Sequence, residues 1–122
     1  LTAVPFNVLA DLDDEPAGMV SATEPDSAET IELISMWVAP FARGRGVGDA
    51  LIEAVVGWAE SHLARRLGLR VTVGNEAALA LYRRHGFTET GLVEQNTDGS
   101  SEAEMVREKR APLRAEALPE SP

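Results

Sequence analysis

Between residues 43 and 48 the chain reads Arg43-Gly44-Arg45-Gly46-Val47-Gly48, two arginines interleaved with three glycines. Residues of these types at this spacing suit the binding of a diphosphate. The arginines supply positive charge, and the glycines let a bulky anion reach main-chain N–H groups without meeting a Cβ. Ahead of the stretch lies the apolar run Ile31-Glu32-Leu33-Ile34-Ser35-Met36-Trp37-Val38, closed by Ala39-Pro40. Behind it Val47, Ala50, Leu51, Ala54, Val55 and Trp58 recur at the three-and-four spacing of one buried helix face. A strand, a glycine-rich turn and a helix start in succession aim several unpaired N–H groups at one point, and the helix dipole adds attraction for negative charge.

Elimination narrows the ligand. A Walker loop needs four residues between its glycines and then Lys-Ser or Lys-Thr, which the chain does not supply here. The dinucleotide fingerprint G-x-G-x-x-G finds Gly44 and Gly46 but has Asp49 in place of its third glycine, an acid facing the pyrophosphate. Read from Arg43, the stretch is R-x-x-G-x-G, which resembles motif A of the GCN5-related N-acetyltransferase (GNAT) family. A second stretch, Asn75 to Phe87, follows the alternating run Leu69-Arg70-Val71-Thr72-Val73. It resembles motif B of the same family, N-x-x-A-x-x-x-Y-x-x-x-G-F, with Asn75, Ala78, Tyr82, Gly86 and Phe87 at the keyed positions. Local chemistry supports this reading: Asn75 suits a helix N-cap, Gly86 a left-handed helix end, and Ala78, Leu81 and Tyr82 share one helical face. Two motifs in the right order are more specific than either alone.

The resemblance implies an α+β fold, a mixed and mostly antiparallel central sheet with flanking helices. It implies acetyl-CoA as co-substrate, no metal, and direct transfer of the acetyl group to a primary amine of an unidentified acceptor, a small molecule or a protein N-terminus. Arg43, Gly44, Arg45, Gly46, Val47, Gly48 and Asp49 then surround the pyrophosphate. The main chain of Met36, Trp37 and Val38 pairs strand-like with the pantetheine arm, the Val38 N–H polarises the thioester carbonyl, and Asn75 and Tyr82 also lie beside the cofactor. Tyr82, the single tyrosine of the chain, matches the family's thiolate-protonating acid; its alternative is a packing role. Glu32, on the strand before motif A, resembles the general base of the histone-acetylating branch. A carboxylate on an apolar strand could have its pKa raised as a base needs, or it could simply pair with an arginine at the surface.

Composition bounds the remaining classes. The chain has 122 residues, one domain's length, and no cysteine, so a disulfide, a thiolate metal site and a cysteinyl acyl-enzyme are excluded. His62 and His85 fall near predicted helix ends, with no third ligand spaced for a metal. The net charge of −9 is unevenly spread. Residues 1–42 hold eight acids and no base, residues 43–84 hold seven arginines against four acids, and residues 85–122 hold four bases against eight acids. Positive charge therefore gathers where both motifs lie, as a polyanionic cofactor requires. Arg65, Arg66, Arg83 and Arg84 read as solvated helix-end residues. An acidic chain disfavours nucleic acid, and no apolar run reaches the length of a membrane span, so a cytoplasmic protein is expected.

The elements that must position these residues follow from the pattern. Strands are expected over Phe6–Leu12, Gly18–Ala22, Thr30–Val38, Leu69–Val73, Phe87–Glu94 and Ala103–Arg110, and helices over Gly46–Ala64 and Glu76–His85. Asp13-Asp14-Glu15-Pro16 reads as a hairpin turn, and Asn96–Ser101 as another. Strand, helix and strand across Thr30 to Val73 imply one parallel pair with a right-handed crossover. Residues 1–110 form the domain and 111–122 read as a disordered tail. The family fold also implies a strand and two helices ahead of the first hairpin, on the acceptor side, and only a few residues precede Phe6. An open sheet edge and a bare face are expected, with homodimer formation or lowered stability as the outcome. The alternative function is a non-catalytic CoA- or acyl-CoA-binding module without an acceptor site. A third is an interaction or subunit-like protein with an empty pocket, against which both intact motifs argue.

Overall fold

The β-rich segments form a single six-stranded sheet in the order β1-β2-β3-β4-β6-β5. The strands are β1 (Phe6–Leu12), β2 (Glu15–Ala22), β3 (Thr30–Val38), β4 (Arg66–Thr72), β5 (Thr88–Gln95) and β6 (Ser101–Glu108), with helices α1 (Val47–Ser61) and α2 (Glu76–Arg84). These come from a computed structural model that describes residues 6–62 and 64–109. Only β3 and β4 run parallel, joined across α1; every other pairing is antiparallel. The expected mixed, mostly antiparallel sheet with flanking helices is therefore the fold. The expected tail at 111–122 lies outside the described residues, as does Arg110 at the end of the last expected strand.

Element boundaries shift for local reasons. Asp13 and Asp14 both take positive φ, 53° and 65°, so the hairpin turn needs only these two residues and Pro16 joins β2 opposite Asp11. A register shift beside Asp11 accommodates the proline, whose missing N–H cannot extend the ladder there. α1 ends at Ser61 instead of Ala64, because the His62 N–H closes back on the Ala59 carbonyl at 3.2 Å and the His62 ring takes the Trp58 carbonyl at 2.8 Å. β4 starts three residues early. Arg66, which reads in sequence as a helix-end residue, is a strand residue whose Nε donates to Glu108 across the β4–β6 pair at 2.8 Å.

Both helices pack on one core, α1 across β1, β2 and β3, and α2 through Tyr82 and through Leu81 beside Gly48. Val47, Leu51, Ile52, Val55 and Ala59 form its buried stripe. Ala50, expected on that stripe, is exposed; the stripe advances along the i+4 row and leaves Ala50 beyond its edge. Val20, Ile31, Phe87 and Met105 close the core beneath the helices. The far face differs. Register aligns Leu9, Met19 and Trp37 in a row across three strands, and Leu9 is 78% and Trp37 49% exposed. Among the described residues β1 is one sheet edge and β5 the other.

Candidate active site

The parallel pair of the sheet is short. β3 and β4 meet only where Thr30, Ile31 and Glu32 face Arg66, Leu67 and Gly68. Further along, β3 continues beside β2 and β4 beside β6, so the two strands part and leave a notch in the middle of the sheet. The Ala39 N–H bonds the Ala17 carbonyl on the β2 side at 2.7 Å. Because backbone groups alternate along a strand, Met36 and Val38 then turn their N–H and C=O groups toward the notch. Nothing in the apolar pattern of β3 signals this opening, nor the extra residue, Ile34, that β3 carries opposite the Ser21–Ala22 step of β2 just before it.

Pro40–Ala42, a short 3-10 turn, redirects the chain from the end of β3 into the glycine-rich loop. Gly44 and Gly46 take φ of 75° and 84°, the left-handed region that favours glycine, and Gly46 caps α1. A Cβ added to either would meet no atom within 4 Å, so both line open space. Gly48 does a different job. A Cβ there would lie 3.2 Å from Leu81 and 3.5 Å from Met36, so this glycine lets α1 approach α2 and β3. The first intrahelical bond of α1 runs from Ala50 to Gly46, leaving the N–H groups of Val47, Gly48 and Asp49 without helical acceptors.

These elements enclose a cleft of about 760 Å³. Its lining includes Met36, Trp37, Val38, Arg43, Gly44, Gly46, Gly48, Asp49, Asn75 and Tyr82. Ten of the site residues expected from sequence thus share one cavity. Arg45 and Val47 do not: Arg45 pairs with Asp13 at 3.5 Å and the Val47 side chain is buried in the core. Glu32 lies on the opposite face of the sheet, between the core residues Ile31 and Leu33 in sequence and exposed, near Arg70. It does not line the cleft.

Asn75 holds the N-terminus of α2 as its pattern suggests, its Oδ1 accepting from the Ala78 N–H at 3.1 Å. Tyr82 is 8% exposed, packs edge-on against Phe87 at 5.9 Å between ring centroids, and points its hydroxyl at the Met36 thioether sulfur 3.8 Å away. Burial pushes its pKa above the ordinary tyrosine value. A thioether is a weak acceptor, so among the described residues no strong partner competes for this proton. Arg84, which reads as an ordinary helix-end residue, also lines the cleft and binds Asp49 through two nitrogens, at 2.8 and 2.9 Å. No local signal marks that pair, because its members lie on different helices.

Comparison with known proteins agrees with this geometry. The profile of the acetyltransferase (GNAT) family matches residues 2–87. A mycothiol acetyltransferase of Acidothermus cellulolyticus is 38% identical over 115 residues, covering 88% of this chain and 29% of that protein. The crystal structure of nourseothricin acetyltransferase superposes with a TM-score of 0.72 at 31% identity, over 79% of this chain and 59% of its own. A Bacillus anthracis protein assigned as a streptothricin acetyltransferase, solved in complex with acetyl coenzyme A, shares the fold at a TM-score of 0.75 and 18% identity, over 85% and 62% of the two chains. The chain spans less than half the length of the curated relatives it matches. A notched sheet, a left-handed glycine loop opening a helix, and a family profile that spans both motifs lead to one assignment: the chain belongs to the acetyltransferase (GNAT) family.

Proposed function

We propose that this chain binds acetyl-CoA in the cleft between β3, α1 and α2 and supports transfer of its acetyl group directly to a primary amine. The parting of β3 from β4 carries this reading, since it opens unpaired main-chain groups of Met36 and Val38 beside an anion-accepting helix start. The residues fit the ligand. Gly44 and Gly46 leave open the space that a diphosphate needs, and Arg43 adds positive charge at the same mouth. An extended pantetheine arm would pair with β3 as an added strand does. In this reading the Val38 N–H donates to the acetyl carbonyl oxygen, and the Tyr82 hydroxyl gives its proton to the departing sulfur. Glu32, on the opposite face of the sheet at the last paired position of β3 and β4, is the proposed base toward an acceptor that approaches from that side.

A second reading, a CoA-binding module without transferase activity, draws on one observation. The sheet face on the acceptor side carries exposed Leu9, Ile34 and Trp37 and no packed helix among the described residues. Calorimetric titration with acetyl-CoA and an amine-acetylation assay separate these readings. Binding that weakens with added salt is expected, because the contact is largely ionic. Gly46→Leu should abolish it by filling the phosphate position, while Arg65→Ala, at a residue paired with Glu29 away from the cleft, should leave it unchanged. Binding without acetylation of any amine selects the module. No heat and no thermal shift at millimolar ligand overturns both.

A further inference from the structure

Asp49 sets an acid in a cleft whose glycine loop and helix start otherwise suit an anionic ligand. It is the third residue of α1, in the turn whose N–H groups face the glycine loop, and it lines the cleft. Its carboxylate is nevertheless fully engaged. Oδ1 accepts from Arg84 Nε at 2.8 Å and lies 2.7 Å from His85 Nε2, and Oδ2 accepts from Arg84 Nη2 at 2.9 Å. A guanidinium held along one edge by a bidentate carboxylate is fixed in plane and direction, with its remaining donors still available. Arg84 therefore stands at the end of α2 with its Nη1 unclaimed by Asp49, lining the same cleft as Arg43, Gly44 and Gly46. Arg45 is turned toward Asp13 and does not line the cleft, so the two arginines at its mouth are Arg43 and Arg84.

We infer that Asp49 is a positioning residue that recruits Arg84 as a phosphate-binding group, tying the start of α1 to the end of α2 across the mouth of the cleft. The inference rests on the acetyl-CoA reading above. Simple electrostatics makes the opposite forecast, since an acid beside an anion site repels the ligand and its removal would tighten binding. The clamp forecasts weaker binding, because a released Arg84 loses both its direction and its fixed place. The ligand chemistry is a phosphate ester, and in CoA it has two sources, the diphosphate and the ribose 3′-phosphate.

Calorimetric titration of acetyl-CoA into the unsubstituted chain, Asp49→Asn, Arg84→Gln and the double variant tests this. Each single change should weaken binding by roughly tenfold, the scale of one charge-assisted contact. The double variant should bind no worse than Arg84→Gln alone, because Asp49 acts only through Arg84. S-acetylpantetheine, which carries no phosphate, should bind all four proteins equally when followed by NMR titration. Repeating the series with 3′-dephospho-CoA locates the contact: a persisting loss assigns Arg84 to the diphosphate, a vanished loss to the 3′-phosphate. Tighter or unchanged acetyl-CoA binding by Asp49→Asn overturns the clamp, as do additive effects. Equal loss of S-acetylpantetheine overturns it too, since the pair would then serve helix packing alone. Failure of the unsubstituted chain to bind acetyl-CoA overturns the cofactor reading itself, an outcome separate from a failed clamp.

Discussion

Tyr82 and Asp49 show how environment sets what a single side chain can do. The Tyr82 ring is held by Phe87 and the core, while its hydroxyl meets, among the described residues, a thioether alone. Tyr82→Phe should therefore leave folding stability within about 0.5 kcal/mol and cofactor affinity unchanged, and lower turnover by roughly a hundredfold. Steady-state kinetics with any accepted amine beside a denaturant titration checks this, and unchanged turnover reduces Tyr82 to a packing residue. Burial raises its pKa, so the acid stays protonated through neutral pH and activity should not decline on its account until pH exceeds the ordinary tyrosine value of about 10. Asp49 is shifted the other way. Hydrogen bonds from Arg84 and His85 hold its carboxyl below the usual carboxylate range. A folded-state pKa below the unfolded one means the stabilisation is complete above the unfolded value, about 4, and is lost as pH falls toward the folded one. The stability gap between the unsubstituted chain and Asp49→Asn should therefore be constant near neutrality and close below about pH 4. Urea titrations at stepped pH measure it, and a gap that ignores pH assigns the loss to something other than the carboxylate charge.

At the scale of elements, close approach decides which glycines matter. Gly18 on β2 lies under the start of α1, where an added Cβ would come within 2.6 Å of the Trp37 carbonyl oxygen and 3.1 Å of Leu51 and Val47. Main chain cannot yield as a side-chain tip can, so Gly18→Ala should destabilise the domain by about 1–3 kcal/mol, as overpacking does. Gly57, inside α1, has nothing within 4 Å of its would-be Cβ and sits on the exposed side, so Gly57→Ala should stabilise by up to about 1 kcal/mol through helix propensity. Denaturant midpoints for the pair decide it, and equal signs would show that neither site behaves as its surroundings suggest. The same contrast explains how much was legible in sequence. The existence and order of both helices and all six strands follow from local periodicity and punctuation, as do the cap at Asn75 and the loop at Gly44 and Gly46. The notch between β3 and β4, the Asp49–Arg84 clamp, and the placement of Glu32 away from the cleft are tertiary facts. Each depends on how distant segments lie against one another, and no window of sequence encodes that directly. Arg66 illustrates the boundary: a basic residue after a helix reads as its end, yet cross-strand pairing with Glu108 makes it strand.

At the scale of the whole molecule, the sheet is covered unequally. Helix α1 shields one face of β1, β2 and β3, while the other presents Leu9, Ile34 and Trp37 to solvent among the described residues, with Met19 between the first and last. β1 adds a strand edge beside that surface. An exposed edge next to an apolar row is a template for association, because a second strand satisfies its hydrogen bonds while the row buries against its copy. This chain should therefore self-associate as concentration rises, detectable as a concentration-dependent mass by light scattering. Leu9→Lys puts a charge on the outermost and most exposed member of the row, 78% exposed and away from the cleft, so it should shift the equilibrium toward monomer. It should leave acetyl-CoA affinity unchanged, since β1 contributes nothing to the lining of the cleft. A chain that stays monomeric at high concentration, or association that Leu9→Lys leaves untouched, would show that the apolar row and its edge are tolerated as they stand. Association that survives Leu9→Lys would direct the search to the opposite edge, where Leu92 and Val93 on β5 are half exposed beside an irregularity in the β5–β6 pairing. β5 is the weaker candidate on physical grounds, because a bulged edge interrupts the regular ladder that strand pairing requires.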